Sequence, residues 1–181
     1  MTSTRFFRTA IKTPIGEMLA LASDDALCAL EFSGRGRLTR LKARLDRWYT
    51  PHQLEEGENA VITRTCEWLD EYFAGAPGGR SLPKRLTLDG RGTPFEVQVW
   101  KELRQIPAGT TSTYGAIAKK LGGTNLSRAV GLANGANPLA IIVPCHRVIG
   151  SNGTLTGYGG GLDKKRWLLD HERQWRKDVL F

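Results

Sequence analysis

Cysteine is scarce in this chain: its 181 residues hold three, Cys28, Cys66 and Cys145, widely spaced and without a C-x-x-C pair. An odd number at such spacing excludes a disulfide framework and a cysteine-rich zinc site, and leaves at least one thiol outside any disulfide. Histidine is equally rare, with only His52, His146 and His171, so a structural metal would need ligands from scattered positions. No stretch approaches the roughly 18 consecutive apolar residues of a membrane helix. The opening MTSTRFFRTAIKTPIGE lacks an apolar core and a small-residue cleavage site. The expectation is a cytoplasmic protein without membrane contact. Disorder is excluded too, because 40% of the residues are hydrophobic and only 24% charged. At about 100 to 200 residues per domain, the chain is one globular unit or two small ones.

Acidic residues are sparse in one half only. Residues 1–90 carry 13 Lys and Arg against 12 Asp and Glu, whereas residues 91–181 carry 13 against 6, so nearly all of the net +8 lies in the second half. A basic region of this kind suits a polyanion, nucleic acid being the commonest. Many basic soluble proteins bind none, so charge alone leaves both readings open.

The first half has an α+β pattern. Segments 4–12, 17–22 and 26–33 are short and apolar-rich, separated by the turn signals Thr13-Pro14-Ile15-Gly16 and Ser23-Asp24-Asp25, and predict an antiparallel meander. Leu38, Leu41, Leu45 and Trp48 predict a helix over 37–49, and Val61, Thr65, Trp68, Leu69 and Phe73 a second over 58–74. Gly75-Ala76-Pro77-Gly78-Gly79 ends it, and 80–92 is expected to form a strand and a turn at the domain junction, giving domains 1–90 and 91–181.

The second half is mainly helical. Thr93-Pro94 places an N-cap before a proline at the first helical position, with Phe95, Val99, Trp100 and Leu103 as the buried stripe. Ser112 or Thr113 caps the next helix, through Tyr114, Ile117, Ala118 and Leu121, which stops at Gly122-Gly123. A short helix over 125–135 follows, with Leu126, Val130 and Ala133 inward. Two short helices around a glycine turn outline a helix-turn-helix. In the second of them Ser127, Ala129, Gly131 and Ala133 are small and Arg128 is the lone long cation, a composition that lets a helix approach a groove closely. Close helix packing would explain the small residues equally well.

The densest chemistry lies in Ile141-Ile142-Val143-Pro144-Cys145-His146-Arg147-Val148. An apolar run entering a proline predicts a buried extended segment that turns sharply at Cys145. Reactivity requires the thiolate, and His146 and Arg147 are the neighbouring base and cation. Successive side chains in an extended segment diverge, so His146 reaches the sulfur only through a backbone turn or a bridging water. The glycines from 150 to 161 around Tyr158 fit neither nucleotide-binding pattern and better suit a wall around a flat ligand. A final helix over 163–173 is expected to turn Trp167 and Leu168 inward and to bring His171 and Glu172 to its end, Glu172 being either a surface acid or the partner of a histidine.

Pro144-Cys145-His146-Arg147-Val148, with Ala133-Asn134-Gly135-Ala136-Asn137-Pro138 before it and Gly157-Tyr158-Gly159-Gly160-Gly161 and Trp167-Leu168-Leu169-Asp170-His171-Glu172 after it, resembles the methylated-DNA-protein-cysteine methyltransferases, the O6-alkylguanine-DNA alkyltransferase family. Thr93-Pro94-Phe95 and Ile106-Pro107-Ala108-Gly109 extend the match, which covers about residues 92–173. The resemblance implies a ribonuclease H-like N-terminal domain with a small antiparallel sheet and a winged-helix-like C-terminal domain. It implies direct-reversal DNA repair: irreversible, single-turnover transfer of an alkyl group from O6 of guanine, and from O4 of thymine, to Cys145 after the base is flipped out of the duplex, with no cofactor.

By the same resemblance His146, held by Glu172, polarises the Cys145 thiol through a water, Asn137 braces the turn and Tyr114 donates a proton toward the departing guanine. Arg128 would fill the gap left by the flipped base while the second helix docks in the minor groove, with Ser127, Ala129, Gly131 and Thr110 at the DNA. Val148, Tyr158, Gly159 and Gly160 would line the base pocket. The implied partner is double-stranded DNA containing O6-alkylguanine, bound by a protein that is a monomer in solution, with cooperative binding on DNA left open. Gly159 and Ala140 stand where some relatives carry serine and proline, which would widen tolerance for bulky alkyl groups. A zinc site of some relatives is not expected, since the N-terminal half offers only Cys28, Cys66 and His52. The cysteine itself argues against the non-enzymatic relatives in which tryptophan replaces it. Two rival readings stay open on the residues alone, a damage sensor without chemistry and a multiple-turnover cysteine hydrolase; a third, a transcription regulator, is disfavoured because no separate effector domain or dimerisation heptad is visible.

Overall fold

The computed structural model describes residues 3–34 and 36–177. It forms two compact units that meet between Arg91 and Gly92.

In the first unit the turn signals act where expected. Strands β1 (Thr4–Thr13) and β2 (Gly16–Ala22) pair antiparallel, with Phe7 opposite Ala22 and Thr13 opposite Gly16, and β2 pairs antiparallel with β3 (Leu27–Phe32). Gly16 closes the first turn at φ 118°, a conformation that favours glycine. A fourth strand, β4 (His52–Glu56), adds to the edge beside β1 in parallel, so the sheet is mixed rather than antiparallel, in the order β3-β2-β1-β4. Five successive residues of β2 and all six of β3 are buried, which requires cover on both sheet faces because neighbouring side chains alternate. Helix α1 (Arg37–Trp48) supplies Leu41 and Leu45 to a cluster with Phe6, Leu19, Leu21 and Tyr49. Helix α2 (Ala60–Phe73) packs on the sheet as well, burying Val61, Ile62, Thr65, Trp68, Leu69 and Tyr72; its N-terminus is capped by the Asn59 side chain, which accepts from the Val61 and Ile62 amides.

The expected strand over 80–92 is absent. Pro77–Arg80 form a short 3-10 turn, and a single bridge between Leu27 and Leu88 is all the pairing that follows. Pro83 has no amide to donate to a ladder, and its carbonyl accepts from the Leu86 amide at 3.0 Å in a turn, so the chain reaches β3 only at Leu27.

The second unit begins at helix α3 (Pro94–Leu103). Thr93 and Glu96 form a reciprocal capping box, each side chain accepting from the other's backbone amide. Val99, Trp100 and Leu103 face inward. The two-residue strand β5 (Ser112–Thr113) leads into α4 (Tyr114–Lys120), whose N-cap is Thr113. A 3-10 turn over Thr124–Leu126 joins it to α5 (Ser127–Gly135). Val130 and Ala133 of α5 are buried, and the Trp100 indole donates to the Ala133 carbonyl at 2.9 Å, tying α5 to α3. Leu126 is only half-buried. After a buried turn the chain forms β6 (Val148–Ile149), parallel to β5, then a glycine-rich loop and helix α6 (Leu162–Lys177).

The buried face of α6 differs from expectation. Lys165, Leu168, Leu169, Glu172 and Trp175 point inward, at the i, i+3, i+4, i+7 and i+10 spacing of one helical stripe. Trp167 lies off that stripe and is 37% exposed, stacked on His171 with ring centroids 4.7 Å apart.

Candidate active site

The segment before Cys145 is buried, as expected, but it is not extended. Leu139 through Val143 form consecutive tight turns, with the Val143 amide donating to the Leu139 carbonyl at 2.8 Å and the Ile142 amide to the Ala140 carbonyl at 2.9 Å. The cause is Asn137. Its Oδ1 accepts from the Leu139 amide at 2.9 Å, and its Nδ2 donates to the Val143 carbonyl at 2.8 Å, so one buried side chain replaces the strand partners the backbone would otherwise need. Ile141 is forced to φ 70°, a costly conformation for a β-branched residue that persists only when its surroundings over-determine it.

Cys145 therefore opens a 3-10 turn, Cys145–Arg147, rather than ending a strand. Its side chain lies in a largely buried setting, the residue being 7% exposed, and its carbonyl accepts from Asn134 Nδ2 at 3.5 Å. The turn swings the next two side chains onto one carboxylate. His146 Nε2 lies 2.8 Å from Glu172 Oε1. Arg147 grips the same carboxylate in a fork, Nε donating to Oε2 and Nη2 to Oε1, both at 2.8 Å, while its Nη1 donates to the Ile106 carbonyl at 2.6 Å. The Gly109 amide donates to Oε2 at 3.2 Å. His146 and Glu172 are fully buried.

The electrostatics of this cluster fix the proton on His146. Burial alone would raise the Glu172 carboxyl, but His146 and Arg147 reverse that and hold it below the usual carboxylate range. An ionised carboxylate only accepts, so Nε2 must carry a hydrogen. Burial also pushes the imidazole below its ordinary value, outweighing Glu172, with Arg147 and Lys165 acting in the same direction as burial. His146 is accordingly neutral, its Nδ1 is a lone-pair acceptor, and that atom is buried without a protein partner among the described residues.

The opposite wall comes from α4 and the glycine loop. Tyr114 lies in van der Waals range of Gly131, where a Cβ would sit 3.8 Å from its ring, and its hydroxyl donates to the Thr156 carbonyl at 3.4 Å. Burial raises this phenol, as does its proximity to Cys145, so it keeps its proton at neutral pH. Tyr158 stands edge-on to His146, ring centroids 6.5 Å apart. Gly159 is exposed, Gly160 half-buried and Val148 fully buried in β6.

Two contributors escaped the sequence reading. Arg147, noted there only as a neighbouring cation, turns out to be the clamp on Glu172. Lys165 is fully buried, its Nζ donating to the Thr156 carbonyl at 2.6 Å, the same oxygen that receives Tyr114. Burial pushes its ammonium down to about 8, with Cys145 close enough to act in the opposite direction. Its spacing to Leu168, Leu169 and Glu172 was the available signal.

The residues assigned to DNA lie apart from this cluster or at its edge. Arg128 is exposed on α5; Ser127, Ala129 and Gly131 are half-buried, with the Ser127 hydroxyl donating to the Thr124 carbonyl at 2.6 Å. The Thr110 hydroxyl donates to the Pro107 carbonyl at 2.7 Å. Among the described residues no three His, Cys, Asp or Glu side chains are grouped to hold a metal ion, and no helix is long and apolar enough to cross a membrane.

Residues 94–174 match the family described as 6-O-methylguanine DNA methyltransferase, DNA binding domain, and residues 6–83 match its ribonuclease-like domain. A methylated-DNA--protein-cysteine methyltransferase of Shigella flexneri is 41% identical over 169 residues, covering 93% of this chain and 96% of the relative. Its counterpart in Mycolicibacterium paratuberculosis is 44% identical over 169 residues, covering 93% and 92%. Among solved structures, Mycobacterium tuberculosis OGT in complex with DNA superposes with a TM-score of 0.76 at 38% identity, covering 94% of each chain.

Proposed function

This chain belongs to the 6-O-methylguanine DNA methyltransferase family, and from that premise we propose that it repairs alkylated DNA by moving the alkyl group from guanine O6 irreversibly onto Cys145. The observation that carries the assignment of residues is the buried Glu172–His146 pair on the turn that begins with Cys145: Nε2 is pinned at 2.8 Å and Nδ1 is left as the base.

His146 Nδ1 takes the thiol proton through a water. The thiolate attacks the alkyl carbon, an S–C bond forms, and the C–O6 bond breaks with its electron pair passing to the purine. Guanine leaves as a neutral base once it gains a proton, which Tyr114 supplies. Lys165, cationic at neutral pH, lowers the energy of the thiolate and steadies the loop at Thr156 that carries Tyr158 and Gly159. The thioether product has no leaving path, so each protein acts once.

The target base lies inside a duplex and must be rotated out, at a cost of a few kcal/mol. Arg128, exposed on a helix in which Ser127, Ala129, Gly131 and Ala133 are small, enters the gap as that helix docks in the minor groove, and the basic half from residue 91 onward binds the phosphates while residues 1–90 support it. DNA carrying O6-alkylguanine is thus the partner, and the protein works as a cytoplasmic monomer. The test is a count of lesions removed. Excess duplex with one O6-methylguanine should lose lesions up to one per protein and no further. Continued turnover would favour a hydrolase, and tight lesion binding with no loss would favour a damage sensor.

A further inference from the structure

Leu132 is the most exposed large hydrophobic residue among those described, at 71%, well above Leu162 at 44% and Leu54 at 42%. Its place in the fold is specific. Val130, Ala133 and Asn134 anchor the inner face of α5, leaving an outward stripe of Arg128, Leu132 and Gly135 at i, i+4 and i+7. The most exposed of the large apolar side chains thus stands one turn from the only cation of that helix, on the same face, in the half of the chain that carries nearly all of the net positive charge.

We propose that Leu132 is a DNA-contacting and context-determining residue, packing into the minor groove beside the step that Arg128 enters. The inference rests on the reading of α5 as the helix that docks in the groove. Four residues advance about 6 Å along a helix, close to two base-pair steps of about 3.4 Å each. With Arg128 at the vacated step, Leu132 faces the sugars and base edges of the neighbouring pairs. A branched apolar side chain there gains from burial against sugar carbons and makes no phosphate contact. It also discriminates. The minor-groove edge of a G·C pair carries the guanine amino group, which fills the groove floor and would lose its water against a leucine, whereas an A·T pair presents acceptors only and leaves space. Leu132 therefore favours lesions flanked by A·T on the side it covers.

The test compares the wild type with Leu132→Ala, Leu132→Lys and Arg128→Ala, the helix-compatible alanine keeping α5 intact. Dissociation constants are measured by anisotropy on undamaged and O6-methylguanine duplexes, with A·T or G·C neighbours, at two salt concentrations. Alkyl transfer from the free base O6-benzylguanine, which needs no groove, is followed in parallel. Leu132→Ala is expected to weaken duplex binding about five- to tenfold, leave the salt slope unchanged, erase the preference for A·T neighbours and leave free-base transfer untouched. Arg128→Ala should lower the salt slope instead. Wild-type affinity and context preference in Leu132→Ala would overturn the proposal, as would equal losses on duplex and free base. Tighter binding with a steeper salt slope in Leu132→Lys, together with a neutral alanine variant, would put position 132 at the phosphates and overturn it as well. Failure of the wild type to remove any lesion would count against the alkyl-transfer assignment, and the binding arms on undamaged duplex would still decide the role of Leu132.

Discussion

Replacing Arg147 with methionine is the most informative perturbation of the buried cluster. The guanidinium is 11% exposed and the Glu172 carboxylate 0%, so solvent screens the pair little. The substitution removes two hydrogen bonds at 2.8 Å from the carboxylate and one at 2.6 Å to the Ile106 carbonyl. It leaves a buried negative charge that His146 and the Gly109 amide still face but no guanidinium balances. Removing one partner of a buried ion pair costs about 3–5 kcal/mol, a large share of the roughly 5–15 kcal/mol that holds a domain folded. There is a chemical consequence too. Arg147 is one of the groups that keeps His146 neutral, so without it the imidazole takes a proton more readily and its base atom is lost at mildly acid pH. Urea denaturation should give a loss in the 3–5 kcal/mol range, and the transfer rate should fall more steeply than in wild type from pH 8 to pH 6. Adding Glu172→Gln removes the stranded charge and should recover part of the stability. A loss below about 1 kcal/mol in Arg147→Met, or a double variant less stable than the two single losses summed, would refute the reasoning.

Asn137→Ala strips the Leu139 amide and the Val143 carbonyl of their side-chain partners, and should cost about 2–4 kcal/mol for the two buried groups; because the turn presents Cys145, transfer should slow even in the fraction that stays folded, which single-turnover kinetics at saturating DNA will measure. Stability should fall as pH drops from 7 to 4: the unfolded chain protonates His146 near its ordinary 6.5 and Glu172 near 4.5 while the folded chain resists both, so the unfolded state binds more protons. The same sign applies to Lys165, whose folded value of about 8 lies below the ordinary 10.5, so its contribution to stability should rise with pH across that window, read as the wild-type profile minus that of Lys165→Met. Denaturation midpoints across pH check both, and a flat profile between pH 7 and 4 would contradict the buried assignment of His146.

The parts of the fold that were legible are those where local chemistry and tertiary structure agree. The meander follows from its turn residues, and α3 from Thr93, Pro94 and Glu96, which build its cap from within. Strand β4 was not legible because HQLEE has no apolar alternation: four of its five residues are exposed, including Leu54, and β1 is the one strand it pairs with. The run Ile141-Ile142-Val143 is apolar enough for a buried strand, and what turns it is a side chain four residues upstream, Asn137, whose hydrogen bonds periodicity does not reveal. Helix α6 misled for the opposite reason. Two positions of its true inward stripe, Lys165 and Glu172, carry charge, so an apolar scan places the bulky Trp167 inward instead. Both charges are held inside by partners that an apolar scan does not register, Glu172 by His146 and Arg147 and Lys165 by the Thr156 carbonyl. Two of the four failures, the turn before Cys145 and the inward face of α6, thus fall at the candidate site.

The central claim, transfer of the alkyl group to Cys145, is tested most directly by the intact mass of the protein after incubation with excess duplex containing one O6-methylguanine, for the wild type and Cys145→Ser. The account predicts that the wild type gains one methyl group in place of a proton, never two, that peptide mapping finds it on Cys145, and that the variant gains nothing while still binding the duplex. An unchanged wild-type mass despite lesion binding, or a methyl group retained in Cys145→Ser, would contradict it.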